Sequence, residues 1–208
     1  MSNTIITIAR SYGSGGRMIG KQLAESMGIA YYDRNLIYLA SDKSGLDARV
    51  MSKYDEYVKK PYFERSEVFS SGIIPPETRR FTSHKDIFRY QQNTIREVAD
   101  KSDCVIIGRC AGFALKNSDH KLIRVFIWAP HDYCIKNVMK KFSITHEEAD
   151  KIIKDINKHR QEYYKYYTGV EWESATNYDL CINTAVHAQD ESVSLIKQFS
   201  EIFNKQVL

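Results

Sequence analysis

The feature that most constrains this chain is a glycine-rich loop between an apolar strand and an amphipathic helix. Residues 5–24 read ITIARSYGSGGRMIGKQLAE. A strand that leads through glycines into a helix brings several backbone amides and the positive end of the helix to one point, where they can bind phosphate. Glycine lets the backbone approach an anion closely and permits positive φ. The stretch therefore predicts a phosphate site at the start of the helix.

The loop lacks part of the usual phosphate-loop pattern, G-x-x-x-x-G-K-[ST]. Gly16 or Arg17 takes the Lys place, depending on which glycine is aligned, and Met18 removes the hydroxyl expected near a bound magnesium ion. Arg17 can bind phosphate oxygens with a planar fork of donors, which Lys cannot do. The candidate phosphate-binding residues are Arg10, Ser11, Gly13, Ser14, Gly15, Gly16, Arg17 and Met18.

Two other readings of the loop stay open at this point. The glycines can serve only a structural turn in which helix and strand pack closely. Alternatively, Asp33 ends the second strand about 20 residues after Gly13, as the ribose-binding acid of a dinucleotide site does. The dinucleotide pattern G-x-G-x-x-G nevertheless fails at its last position, where Met18 stands.

Short β-branched runs alternate with helical patterns along the chain. This alternation predicts a parallel sheet covered by helices on both sides. Each of the five runs is interpreted as a strand buried on both faces. The predicted strands cover 4–9, 28–32, 104–108, 122–129 and 178–183. The predicted helices cover about 17–27, 34–42, 86–101, 132–142, 146–167 and 191–204.

The helix near 146 has a capping-box signal, Thr145 followed by Glu148. Residues 44–85 show no clear period and are interpreted as an insert that covers the site or moves, within a single domain spanning 1–208.

Several polar residues follow buried strands, at the edge where open parallel sheets bind ligands. Arg109 directly follows the third strand, and Asp33 and Arg34 follow the second. Asp33 and Arg34 can bind an acceptor phosphate or a metal, or they can pair with each other and cap a helix. Arg89 is a further candidate for an acceptor phosphate, as are Arg79 and Arg80, and nothing in the sequence selects among these three.

Composition limits the partners. The net charge of +4 is mild and the basic residues are interspersed with 26 acidic ones, which does not suggest a nucleic-acid surface. The four cysteines show no metal-ligand spacing, so we expect buried thiols and no metal held by Cys or His. No segment approaches the roughly 20 apolar residues that span a bilayer. We expect a cytoplasmic protein without a membrane partner, and the 12% aromatic content leaves room for a homo-oligomer.

Together, several stretches resemble the cytidylate kinase-like family of P-loop nucleoside monophosphate kinases. They are ITIARSYGSGGRMIGKQLAE, GIAYYDRNLI, CVIIGRCAGFAL, INKHRQEYYKYYTGVEW and NYDLCINT, in this order along the chain. The resemblance implies an α/β fold: a three-layer P-loop domain with a five-stranded parallel sheet, a helical monophosphate-binding insert at 44–85 and a lid at 143–168. It implies phosphoryl transfer from ATP, with Mg²⁺, to CMP or dCMP.

By the same resemblance, Lys158 and Arg160 belong to the lid and, with Arg17 and Arg109, are the candidate catalytic residues. The tyrosines at 163, 164, 166 and 167 are interpreted as packing and not as a base-stacking surface. True cytidylate kinases carry Lys and Thr in the loop, an Arg at the place of Leu39 and an Asp at the place of Cys110. A catalytically weak nucleotide sensor is therefore the alternative to an active kinase.

Overall fold

The structure is a computed structural model that describes residues 2–45, 48–53 and 84–206. Its centre is a five-stranded sheet in which all paired strands run parallel, in the order β2-β3-β1-β4-β5. The strands are β1 (Thr4–Arg10), β2 (Ala30–Tyr32), β3 (Cys104–Ile107), β4 (Lys121–Trp128) and β5 (Leu180–Asn183). The predicted α/β class, strand number and parallel pairing are confirmed.

Helices connect the strands and cover both faces of the sheet. They are α1 (Gly16–Met27), α2 (Asn35–Ser44), α3 (Ala48–Lys53), α4 (His84–Lys101), α5 (Ala111–Ala114), α6 (His131–Phe142), α7 (His146–Thr168) and α8 (Gln189–Gln206). The predicted start of α7 is confirmed, because the Thr145 side chain accepts a hydrogen bond from the Glu148 amide while Glu148 accepts one from the Thr145 amide. Each partner satisfies an amide that the helix itself leaves open.

The two faces of β1 pack against different helices, because side chains alternate along a strand. Ile6 and Ile8 lie in a fully buried cluster with Ile19 of α1 and Ile196 of α8. Ile5 points to the opposite face, into a cluster with residues of α2, α4 and α5. Burial of this kind on both faces explains why the central strands read as continuous apolar runs.

The prediction that all five strands are buried on both faces is wrong for the edge strands. All three residues of β2 are only partly buried, and Cys181 of β5 is exposed. An edge strand has a neighbour on one side only, so its side chains are covered less completely. The exposure of Cys181 also corrects the expectation that all four thiols are buried, which holds for the other three.

The predicted insert at 44–85 is described only in part. Residues 46–47 and 54–83 lie outside the described residues, and Arg79 and Arg80 are among them. Within the described part, α3 places Met51 in a buried cluster with Ile37 and Ala40 of α2 and Ile87 of α4. The start of the insert is therefore packed against the helices that flank it.

Candidate phosphate-binding site

The glycine loop takes the conformation that its sequence requires. It leaves β1 at Arg10 and enters α1 at Gly16, so the predicted strand, loop and helix are all present. Gly13 and Gly15 have φ of 89° and 82°, a left-handed conformation that side chains with a Cβ rarely adopt. Because the first amides of a helix have no partner within the helix, the start of α1 presents N–H donors and a positive dipole to an anion.

Side chains from distant elements hold the loop from outside. Asn137 of α6 donates to the Gly13 carbonyl at 2.9 Å, and Thr184, after β5, donates to the Ser14 carbonyl at 2.8 Å. Asn157 of α7 accepts a hydrogen bond from the Tyr12 amide at 2.8 Å. Bonds to these carbonyls fix the loop backbone before any ligand arrives, and such preorganisation is what an electrostatic site requires. None of these three residues was predicted from the sequence as part of the site.

Arg160, a candidate from the predicted lid, lies at this loop as a buried group. Its side chain is 4% exposed, donates from Nη1 to the Arg10 carbonyl at 2.9 Å and lies 5.7 Å from the centre of the Tyr12 ring. Lys158 does not join it. The Lys158 side chain is 75% exposed and lies 4.0 Å from Glu162, because two positions along a helix face different directions.

A buried carboxylate joins two of the predicted arginines. Asp33 is 2% exposed and follows β2. One of its oxygens lies 2.5 Å from Nε of Arg17, and the other lies 3.6 Å from Nη1 of Arg109. Arg109 is fully buried and has a φ of 53°, and Gln92 donates to its carbonyl at 3.1 Å. We call Arg17, Asp33 and Arg109 the ionic trio.

The remaining predicted residues are placed as follows. Ser14 is buried, and its hydroxyl donates to the Ser11 carbonyl at 2.8 Å. Arg10 is also buried, whereas Met18 is 46% exposed. Arg34 is exposed at the start of α2. Arg89 lies on the exposed side of α4, 3.4 Å from Asp86.

Two of the four tyrosines of α7, Tyr163 and Tyr167, pack against α4, whereas Tyr166 is 65% exposed. Tyr167 stacks on Phe88 with 3.8 Å between ring centres and 6° between planes. The Tyr163 hydroxyl donates to Gln91 at 2.8 Å. Burial raises the pKa of Tyr167 to about 12. This cluster joins the helix that follows the insert to the proposed lid helix.

A cavity of about 400 Å³ lies behind the loop, between the sheet and α7. Its wall includes Phe126, Trp128, Cys181 and Asn157. This cavity is distinct from the ionic trio, whose residues do not line it.

The described residues do not offer a ready magnesium site. No group of three or more His, Cys, Asp or Glu side chains comes together within 2–45, 48–53 and 84–206. Magnesium is commonly held by substrate phosphates, water and one or two carboxylates. Asp33 is a carboxylate at this edge, but its oxygens face two arginines, and the Ser14 hydroxyl is turned inward. These side chains do not fit a directly bound magnesium ion.

Comparison with known families decides the class of protein. The family model described as the cytidylate kinase-like family matches residues 5–186. The chain belongs to the cytidylate kinase-like family. The resemblance stated from the motifs is confirmed, and the match includes the glycine loop, the ionic trio and α7.

Curated relatives point the same way. A cytidylate kinase of Methanopyrus kandleri is 25% identical over 203 residues, covering 94% of this chain and 92% of the relative. A cytidylate kinase of Pyrococcus horikoshii is 27% identical over 196 residues, covering 93% and 86%. The family and these relatives identify the chain as a phosphotransferase of the nucleotide kinase class. Kinases of this family use ATP and a divalent metal in general.

Solved structures share the fold. An uncharacterized protein from Eubacterium ventriosum is 26% identical, with a TM-score of 0.72 and coverage of 96% of this chain and 99% of that one. Shikimate kinase from Bacteroides thetaiotaomicron has a TM-score of 0.54 at 14% identity, covering 95% and 98%, and shows the shared kinase fold alone. In the described parts of the chain, every helix is too short or too polar to cross a membrane.

Proposed function

We propose that the chain transfers the γ-phosphoryl group of ATP to a nucleoside monophosphate, with CMP or dCMP as the first candidates. The observation that carries the proposal is the ionic trio beside a preorganised glycine loop, in a chain of the cytidylate kinase-like family. The relatives named cytidylate kinase support the choice of a cytidine nucleotide.

The proposed chemistry needs positioning and charge neutralisation more than a nucleophile from the protein. The amides at the start of α1 would bind the triphosphate, and arginines of the site would supply positive charge for the phosphates of the two nucleotides. Arg17 and Arg109 lie at the carboxyl edge of the sheet, where open parallel sheets bind ligands. We propose Mg²⁺ as the ion that accompanies ATP, held through the phosphates.

The proposed domain organisation follows the family pattern. Residues 1–208 form one kinase domain, with 44–85 as the monophosphate-binding insert and 143–168 as the lid. The stack of Tyr167 on Phe88 supports a connection between the two, since it joins α7 to the helix that leaves the insert. Lys158 would reach the phosphates through movement of the lid, because its side chain is exposed in this structure.

A coupled assay with ATP, magnesium and a panel of nucleoside monophosphates tests the proposal. We expect turnover with at least one pyrimidine monophosphate, and we expect Arg17→Ala to abolish it. Lys21→Ala is the matched control, because Lys21 is also a cation of α1 with a half-exposed side chain, but it pairs with Glu25.

The alternative stated from the sequence, a catalytically weak or inactive nucleotide sensor, is not favoured by the family and the relatives named cytidylate kinase. It would give a different outcome in the same experiment. Calorimetry would then show tight ATP binding, while no acceptor in the panel gives product. That result would refute the proposed phosphoryl transfer.

A further inference from the structure

We propose that Asp33 orients Arg17 toward the acceptor side of the site, so that Arg17 binds the acceptor's phosphate and does not replace the missing loop Lys at the donor. Asp33 is then a positioning residue and not a phosphate ligand. This inference rests on the proposed function, because it divides the two nucleotides between two sides of the loop.

The order of the strands separates the two sides. β2 and β3 lie on one side of β1, and β4 and β5 lie on the other. The residues that fix the loop backbone include Asn137, in the helix after β4, and Thr184, after β5. Arg17 makes its ion pair on the opposite side, with Asp33 at the end of β2. The side chain therefore points away from the elements that support the loop.

Burial distinguishes the three members of the ionic trio. The Arg17 side chain is 52% exposed, whereas the side chains of Asp33 and Arg109 are 3% and 0% exposed. A ligand can reach Arg17 directly. Arg109 is buried beside Asp33 and contributes positive charge without being exposed to the ligand. The Asp33 oxygen lies 2.5 Å from the Nε of Arg17 in an ion pair without hydrogen-bond geometry. A guanidinium has five N–H donors in a fixed plane, so one Arg can pair with a carboxylate and bind a phosphate at the same time.

The charge of the ionic trio favours an anion. Two guanidiniums and one carboxylate sum to one positive charge. Asp33 and Arg109 are buried, where electrostatic attraction is stronger than in water, whereas Arg17 is half-exposed. A carboxylate repels phosphate, so Asp33 cannot be the group that binds it. Its role is to hold the position of the Arg17 guanidinium by charge attraction, since this side chain would otherwise sample many rotamers at the start of α1. Preorganisation of this kind raises affinity without adding a contact to the ligand.

Asp33→Asn tests the inference, since it keeps the shape of the side chain and removes its charge. The readouts are the KM of the acceptor found in the panel, the kcat, and the dissociation constants of ATP and of CMP measured by calorimetry. We expect the acceptor KM and the CMP dissociation constant to rise about 10-fold or more, and the ATP dissociation constant to change less than about 2-fold.

Three further variants control the result. Asp33→Glu keeps the charge and should restore part of the acceptor affinity. Arg17→Lys keeps a cation but loses the planar fork, so it should weaken the acceptor in the same way as Asp33→Asn. Glu25→Gln removes the surface partner of Lys21 on the same helix and should change neither ligand. If circular dichroism shows that Asp33→Asn does not fold, the comparison is made with Asp33→Glu and Arg17→Lys instead.

The outcomes separate this inference from the proposed function. If the unaltered protein turns over no monophosphate, the proposed function fails, and the calorimetric comparison of CMP with ATP still decides the role of Arg17. If the variants weaken ATP as much as the monophosphate, or change neither, the inference is overturned while kinase activity stands. Absence of binding by every monophosphate in the panel also overturns it.

Discussion

Replacing Gly13 with Ala should destabilise the protein more than the same change at Gly15, although both residues have positive φ. A Cβ at Gly13 would lie 2.7 Å from the Cβ of Cys134, 2.8 Å from its carbonyl oxygen and 2.9 Å from its Cα. Carbon atoms in contact are normally about 3.5–4.0 Å apart, so the two contacts with carbon atoms overlap by roughly 1 Å. Two of the three atoms belong to the backbone of α6 and cannot rotate away.

The expected magnitudes follow from two separate costs. A left-handed conformation costs a residue with a Cβ about 1–2 kcal/mol, and this cost applies at both positions. Overpacking adds about 1–3 kcal/mol at Gly13. At Gly15 it adds nothing, because no atom lies within 4 Å of the new methyl group. The free energy of unfolding should therefore fall by about 2–5 kcal/mol for Gly13→Ala and by about 1–2 kcal/mol for Gly15→Ala.

Urea denaturation followed by circular dichroism measures the difference, provided that the slope with denaturant is the same for all three proteins. Because Asn137 and Cys134 lie on the same helix, displacement of α6 in Gly13→Ala should also weaken ATP binding. Equal losses of stability for the two variants would refute the close packing of the loop on α6.

Three further predictions concern other parts of the chain. Lys154, and to a lesser extent His131, hold the pKa of Asp150 below its ordinary value of 3.8. The ionised carboxylate therefore stabilises the fold above pH 3.8, and this stabilisation is lost as the pH falls through the lowered pKa. In an NMR titration Lys154→Ala should raise the pKa of Asp150 more than His131→Gln; the reverse order would contradict the assignment. Cys181 is the exposed cysteine among the four, so one thiol per chain should react with a disulfide reagent, and Cys181→Ser should remove that reaction. Partial desolvation raises the pKa of the Cys181 thiol, so the reaction should be faster at higher pH. Thr145→Ala should lower the free energy of unfolding by about 1 kcal/mol through loss of the helix cap, and an unchanged urea midpoint would argue against the capping box.

Prediction from the sequence succeeded where the signal is local. The strands and helices follow the apolar periods, and the start of α7 follows a four-residue capping signal. It failed at the sheet edges, because the runs 28–32 and 178–183 look like central strands and only the strand order shows that each has a neighbour on one side.

The amino-acid sequence by itself determined the α/β class, the phosphate loop and the arginines near it, because each depends on neighbouring residues or on the end of a strand. Only the tertiary structure decided which side chains hold the loop, since Asn137, Asn157 and Thr184 act across 124 to 170 positions of sequence. The tertiary structure also showed that Arg160 contacts the loop whereas Lys158 does not, and that Arg17 pairs with Asp33. These contacts depend on helix faces and strand order, which no local pattern encodes.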